Sequence, residues 1–348
     1  MYPGRLNTIL STFPNRTVLV IGDFFLDKYL IIEHALAELS LETGLEAHQV
    51  VDVRCSPGAA GTVTNNLRAM DVGVIALGVI GDDGEGFELL KGLDATGVDV
   101  DALVIRSDRF TPTYTKPMLR ERDGSSHELN RLDIKNRAPL PREAEDKLIA
   151  ALRGLLPRVH GVIIADQVPE PNCGVITERV RDELCALARV YPTVVFAADS
   201  RERIGLFEDV MLKPNEREAT RAIHGPEETA PDRAALDRTG VLACGESLYR
   251  KAGQPVFLTL GADGLMAFHQ DGPTQIPAVR VSGPIDIVGA GDATLAGIVS
   301  ALCSGATVPE AGEIGCLAAG VTIRQIGTTG TASRDQIAAL NGRRTKDE

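Results

Sequence analysis

Residues 286–292 read Asp286-Ile287-Val288-Gly289-Ala290-Gly291-Asp292, a carboxylate, a turn of small residues and a second carboxylate. Leu295, Ile298, Val299 and Leu302 follow at the i, i+3, i+4, i+7 spacing of one buried helix face, so the turn is expected at a helix N-terminus. Small residues there let backbone N–H groups close on an anion, and the helix end favours negative charge. A carboxylate beside such a hole repels an anionic ligand. Asp292 makes chemical sense as a base that takes a proton from an attacking hydroxyl, while Gly289, Ala290 and Gly291 hold a transferring phosphoryl group. The plainer reading is an Asp that merely caps the helix.

Other clusters extend this chemistry. Asp23 and Asp27 lie just past the first apolar run, where an open parallel sheet places its ligand crevice. A carboxylate there can accept two bonds from sugar hydroxyls. Ser56-Pro57-Gly58-Ala59-Ala60-Gly61 is a small-residue turn ahead of a helix carrying Asn65 and Asn66, and Gly58 and Asn66 are candidate ligand contacts. Gly81-Asp82-Asp83-Gly84 follows another apolar run and reads equally well as an ordinary turn. Lys213-Pro214-Asn215-Glu216-Arg217-Glu218 offers Lys213 to a phosphate. Asn215 and Glu218 could orient Mg²⁺ through water, since that ion keeps much of its hydration shell. Thr259-Leu260-Gly261-Ala262-Asp263-Gly264 ends a strand-like run in a turn fit to line a nucleotide through Thr259, Gly261 and Gly264.

Short, continuous apolar runs must position these groups: Thr17–Ile21, Val74–Ile80, Val162–Ala165, Val194–Ala197, Val210–Leu212 and Val256–Leu260. Continuous rather than alternating runs are how strands buried on both faces of a parallel sheet read. Helical patterns alternate with them, at Gly61–Met70, Glu143–Leu156, Val175–Arg189 and Arg217–Ile223, which argues for a layered α/β domain. Residues 30–56 and 100–130 break the rhythm. They carry Gln49–Val53 and Thr113–Arg120, with a turn at Asp123-Gly124, and read as a small antiparallel sheet built from two insertions.

Composition removes other classes. With 348 residues, a net charge of -12, no Trp and only 4% aromatics, the chain is neither a general nucleic-acid binder nor attracted to anionic membranes. Six scattered cysteines lack Cys-x-x-Cys spacing, so a zinc site or disulfide framework is not expected. The first residues carry no basic and apolar leader pattern, and no stretch is long enough to span a bilayer, so a cytoplasmic protein is expected. There is no Gly-Lys dipeptide for a Walker A loop, and no G-x-G-x-x-G after the first strand.

The ordered set resembles the ribokinase-type (PfkB) carbohydrate kinases. Its carriers are Gly22-Asp23 with Asp27, Pro57-Gly58 with Asn66, Gly81-Asp82-Asp83, Pro214-Asn215-x-x-Glu218, Thr259-Leu260-Gly261-x-x-Gly264 and Asp286-x-x-Gly289-Ala290-Gly291-Asp292, spanning residues 17 to 330. The resemblance implies one three-layer α/β/α ribokinase-like domain over residues 1–348 with a small β-sheet lid. It implies ATP as phosphoryl donor, Mg²⁺ as cofactor, Asp292 as base and Gly289–Gly291 as anion hole. It also implies a monovalent cation, K⁺ being the candidate, near Asp286 and the Val288 carbonyl. Cys316 stands where the family has an Asn near the adenine. Within the family the heptose-phosphate kinase branch is most similar, through Gly22–Tyr29, Pro112–Lys116 and Asn130-Arg131-Leu132-Asp133. Lys116 and Arg131 would then contact a sugar phosphate. A homodimer through the lid is expected as well, because a lone small sheet leaves edges open.

Apart from Ile287 and Cys316, the departures gather on the sugar side. Ile287 replaces a Thr, Gly58-Ala59 replaces Gly-Gly, Thr62 replaces an Asn, and Ala165-Asp166-Gln167-Val168-Pro169-Glu170 replaces the branch's Ser-Asp-Tyr-x-Lys-Gly. They keep open a non-catalytic member that binds nucleotide or sugar as a sensor. An oxidoreductase on a doubly wound sheet is a poorer alternative, for want of the dinucleotide fingerprint.

Overall fold

The computed structural model describes residues 1–225 and 237–347, side chains through Gly342. Its central sheet has eight strands in the order Thr274–Ile276, Leu265–Phe268, Val256–Thr259, Met211–Leu212, Val195–Ser200, Gly161–Asp166, Thr17–Gly22 and Gly73–Leu77. The last six are mutually parallel, and the first two form an antiparallel edge.

Side chains along a strand alternate between faces. Val18, Val20, Ile163 and Ala165 therefore enter one core, with helices Pro3–Leu10, Ala60–Ala69, Gly84–Ala95, Ala290–Cys303 and Val308–Thr322. Leu19, Ile21, Val162 and Ile164 enter the other, with helices Arg142–Leu155, Glu178–Val190 and Arg238–Ala252. Apolar side chains on both strand faces account for the continuous runs in the sequence, and the result is a three-layer α/β/α architecture. The run Val74–Ile80 divides: Gly73–Leu77 belongs to the central sheet, while Val79–Gly81 pairs with Val104–Arg106.

A second sheet has the order Ser126–Glu128, Thr113–Arg120, Phe24–Glu33, Val50–Ala59, and Leu132–Ile134 also pairs with Thr113–Arg120. It is mixed, not antiparallel as the sequence suggested. Phe24–Glu33 runs antiparallel to Val50–Ala59 but parallel to Thr113–Arg120, with Leu26 opposite Thr113. Parallel neighbours need a long crossover, and here the chain passes through the main domain between them. The strand at Val104–Arg106 stands outside this sheet. Phe24–Glu33 leads directly from the central strand Thr17–Gly22, so Asp27 lies on a strand of the second sheet rather than in a loop.

Candidate active site

The carboxyl ends of the parallel strands carry the expected groups. Helix Ala290–Cys303 opens on Gly289 in the left-handed region at φ 79°. A Cβ at that glycine would meet Thr329 Cγ2 at 2.7 Å, so both dihedral and space call for glycine. No side chain caps this helix, and its first turn leaves N–H groups without intrahelical acceptors. Asp292 is the third helical residue and does not cap.

Asp292 is half-buried. Burial first, then the charges of Asp199 and Asp27, push its carboxyl up to about 7, against Lys213 and Arg201, which pull it down. A carboxyl at that value takes up and gives up a proton near neutrality, as a general base must.

Lys213 follows strand Met211–Leu212 and is 4% exposed. Its ammonium lies 3.0 Å from Asp199 Oδ2, and a Cβ on Gly291 would be 3.6 Å from its Nζ. Burial would lower its pKa, but Asp199, Glu218 and Asp292 outweigh that and hold it charged. The open helix N-terminus and a cation are therefore adjacent.

Asn215 and Glu218 form a capping box on helix Glu216–His224. Asn215 Oδ1 accepts the Glu218 N–H at 2.9 Å, and Glu218 Oε2 accepts the Asn215 N–H at 2.9 Å. Burial, then Asp199, raise the Glu218 carboxyl to about 7. Thr259 N–H donates to the Pro214 carbonyl at 2.9 Å, so the turn containing Gly261 and Gly264 lies beside the 213–218 segment. Asp286 Oδ1 accepts the Val288 N–H and its Oδ2 the Gly327 N–H, each at 3.1 Å. That carboxylate fastens the 286–288 segment to residue 327, while the Val288 side chain stays 58% exposed.

Across the crevice, Asp27 pairs with Lys116 at 3.0 Å. A Cβ at Gly58 would stand 2.7 Å from Asp27 Oδ2, which explains the small residue. Tyr114 is opposite Asp27 in the ladder and meets Phe25 edge-on at 5.2 Å. Arg131 pairs with Asp133 at 2.7 Å and stacks 4.2 Å above the Tyr114 ring.

Three of the expected contacts are buried. Asp23 is 3% exposed, and its oxygens accept the N–H groups of Gln167, Val168 and Val175 at 2.7 to 3.0 Å. Burial, then Asp166, raise it to about 6. Asn66 is fully enclosed and donates to Thr62 O, with its own Oδ1 unpartnered. Cys316 is 7% exposed and lies in the core.

Asp199, Gln167 and Arg201 were missed. Asp199 and Gln167 follow or end buried runs at strand carboxyl ends, the signal that singled out Asp23. Asp166 is a further buried charge there, bound by Ser200 and Arg203. Among the described residues, no three His, Cys, Asp or Glu side chains converge as a direct metal site, and no helix is long and apolar enough to cross a membrane.

Comparison with known proteins adds to this geometry. The family model described as "pfkB family carbohydrate kinase" matches residues 26–335. A curated relative, the "Bifunctional protein HldE" of Hyphomonas neptunium, is 28% identical over 339 residues, covering 97% of this chain and 66% of that protein. The protein of that name from Wolinella succinogenes is 30% identical over 336 residues, covering 95% and 65%. The chain thus spans just under two thirds of the length of these relatives. In fold it is similar to the ribokinase of Arabidopsis thaliana solved with ribose and ATP (TM-score 0.64, 17% identity, 93% of this chain and 98% of that one). It is likewise similar to phosphofructokinase-2 of Escherichia coli solved with potassium (TM-score 0.68, 16% identity, 95% and 99%).

Proposed function

We propose, for a chain that belongs to the pfkB family of carbohydrate kinases, that it transfers the γ-phosphoryl group of ATP to a hydroxyl of a sugar phosphate, a heptose 7-phosphate being the favoured acceptor. One observation carries the reading. Asp292, with its carboxyl at about 7, and the buried Lys213 converge on the open N-terminus of helix Ala290–Cys303.

The residues divide the work. Asp292 takes the proton from the acceptor hydroxyl. The N–H groups of the Gly289–Gly291 turn and the Lys213 ammonium hold the transferring phosphoryl group as charge spreads over its oxygens. Asp27, fixed by Lys116, accepts from sugar hydroxyls, and Tyr114 with Arg131 forms the wall beside it. Thr259, Gly261 and Gly264 line the nucleotide. Asp23, Asn66 and Cys316 act from behind, holding the elements that face the ligand.

The Asp199 charge acts on both the Glu218 and the Asp292 carboxyls, and the three together supply hard oxygen donors, which suits Mg²⁺ held through water, with Asn215 shaping the segment. When bound, the ion offsets phosphate charge. Glu218→Gln is accordingly expected to raise the Mg²⁺ concentration needed for half-maximal turnover, read by titrating MgCl₂ at fixed ATP. An unchanged titration removes Glu218 from the site. A monovalent cation at Asp286 and the Val288 carbonyl is part of the same reading, as is a cytoplasmic location.

The second sheet serves as the lid over the sugar in this proposal. Its outer segment exposes Leu36, Leu39, Leu41, Leu45, Val51 and Val53. An apolar surface of that extent fits a partner, and a second copy pairing through the lid is expected. Sedimentation velocity over a concentration series should show a dimer, and a monomer at every concentration contradicts this.

A further inference from the structure

Most cations at this end of the molecule are already matched with a carboxylate. Lys213 has Asp199, Lys116 has Asp27, Arg131 has Asp133, Arg203 has Asp166 and Arg221 has Glu202. Arg201 differs. Its Nε donates at 2.8 Å to Gln167 Oε1, a neutral amide, and its side chain is exposed. A neutral acceptor orients a guanidinium without cancelling its charge.

The orientation is fixed from below. The Arg201 N–H donates to the Asp166 carbonyl at 3.2 Å, which places it where strands Gly161–Asp166 and Val195–Ser200 end side by side. Gln167 is held in turn, because its N–H donates to the buried Asp23 carboxylate at 2.8 Å. Arg203 ties down the same loop through the Val168 and Pro169 carbonyls. Asp23 and Arg203 thus support the loop that aims Arg201.

Arg201 directly follows the strand Val195–Ser200, whose Asp199 pairs with Lys213. Its charge acts on Asp292 and Glu218 and also on Tyr114 of the second sheet. A kinase acting on a sugar phosphate must hold two anions apart. The transferring group has the turn and Lys213, which is too buried to serve a second. The acceptor's own phosphate needs an exposed cation on the sugar side of Asp292, and a guanidinium meets phosphate with two parallel N–H donors.

We propose that Arg201 is the specificity-determining residue through which this chain selects an acceptor sugar already bearing a phosphate. The inference rests on the kinase reading of Asp292 and its turn.

The test is Arg201→Met beside Arg201→Lys, with Arg54→Met as a control. Arg54 also lacks a carboxylate partner among the described residues, but it stands over the Tyr29 ring on strand Val50–Ala59. The probes are a heptose 7-phosphate and the same heptose without phosphate. Arg201→Met is expected to raise KM for the sugar phosphate roughly 10- to 100-fold, the loss of a charge-assisted contact, with kcat nearly unchanged on the alkaline plateau, where the Asp292 carboxyl is ionised with or without the Arg201 charge that lowers it. KM for the unphosphorylated sugar should not move, and Arg201→Lys should recover part of the loss. Calorimetry of the sugar phosphate with each variant reads the same contact without turnover. A wild-type protein that phosphorylates no sugar ends the kinase reading, while the calorimetric difference still decides Arg201. Equal losses on both sugars, no loss, or a loss confined to Arg54→Met overturns the proposal.

Discussion

Asp292→Asn is expected to lose at least ~10²-fold, and up to ~10⁴-fold, in kcat on the best sugar acceptor, the share that a positioned base supplies. ATP affinity, measured by calorimetry, should stay within a few-fold, because the amide keeps the shape of the side chain and removes a charge that repels phosphate. The capping alternative predicts a silent change, since Asn caps a helix about as well as Asp. The structure removes the capping role, as Gly289 occupies the cap position and no side chain caps the helix. The wild-type rate should follow the base. Below a carboxyl pKa of about 7 the group holds its proton and cannot accept another, so kcat/KM should climb through neutrality and then level. In Asp292→Asn that climb should flatten.

Lys213→Met carries the second large effect, and its consequences extend beyond ATP binding. Lys213 lowers the carboxyls of both Asp292 and Glu218. Without it both rise, so the acid limb of the rate profile shifts to higher pH and the rate at pH 7 falls further than at pH 9. Nucleotide affinity should drop as well, because the anion hole loses its adjacent cation. Stability should fall by roughly 3–5 kcal/mol, the cost of leaving a buried charge unpaired when its partner is removed. The double variant Lys213→Met/Asp199→Asn neutralises the orphaned carboxylate and should recover much of that stability without recovering turnover. Chemical denaturation of the single and double variants checks the first part, and kcat the second. Recovered activity in the double variant would reduce Lys213 to a structural pair.

The geometry of the proposed phosphoryl end was legible because its residues are contiguous. Turn, helix start and the carboxylate proposed as base all fall within Asp286–Asp292, and one apolar helix face identifies the element that carries them. The layered sheet was legible for a similar reason, since strands apolar on both faces leave unbroken runs such as Val162–Ala165.

What depends on register was not legible. Ala165 stands opposite Asp199, and Asp166 opposite Ser200, only because two strands about 34 residues apart pair in parallel. That pairing brings Asp199, Arg201 and Gln167 to one edge, and no local pattern announces it. Helix rotation hid a different set. Asn66 follows a small-residue turn in sequence, yet it is fully enclosed in its helix. Asp23 looked like a ligand carboxylate, but its neighbourhood is set by the return of residues 167–175 over it, and three backbone N–H groups occupy it.

The central claim is that this chain moves a phosphoryl group and does not merely bind the two ligands. Phosphorus NMR of wild-type protein with ATP, Mg²⁺ and a heptose 7-phosphate tests it most directly. The account predicts ADP together with a new phosphate monoester on the sugar, the product carrying two phosphates, and neither signal with Asp292→Asn over the same hours. ATP and sugar phosphate that both bind yet remain unchanged would contradict it and leave a sensor with the fold of a kinase.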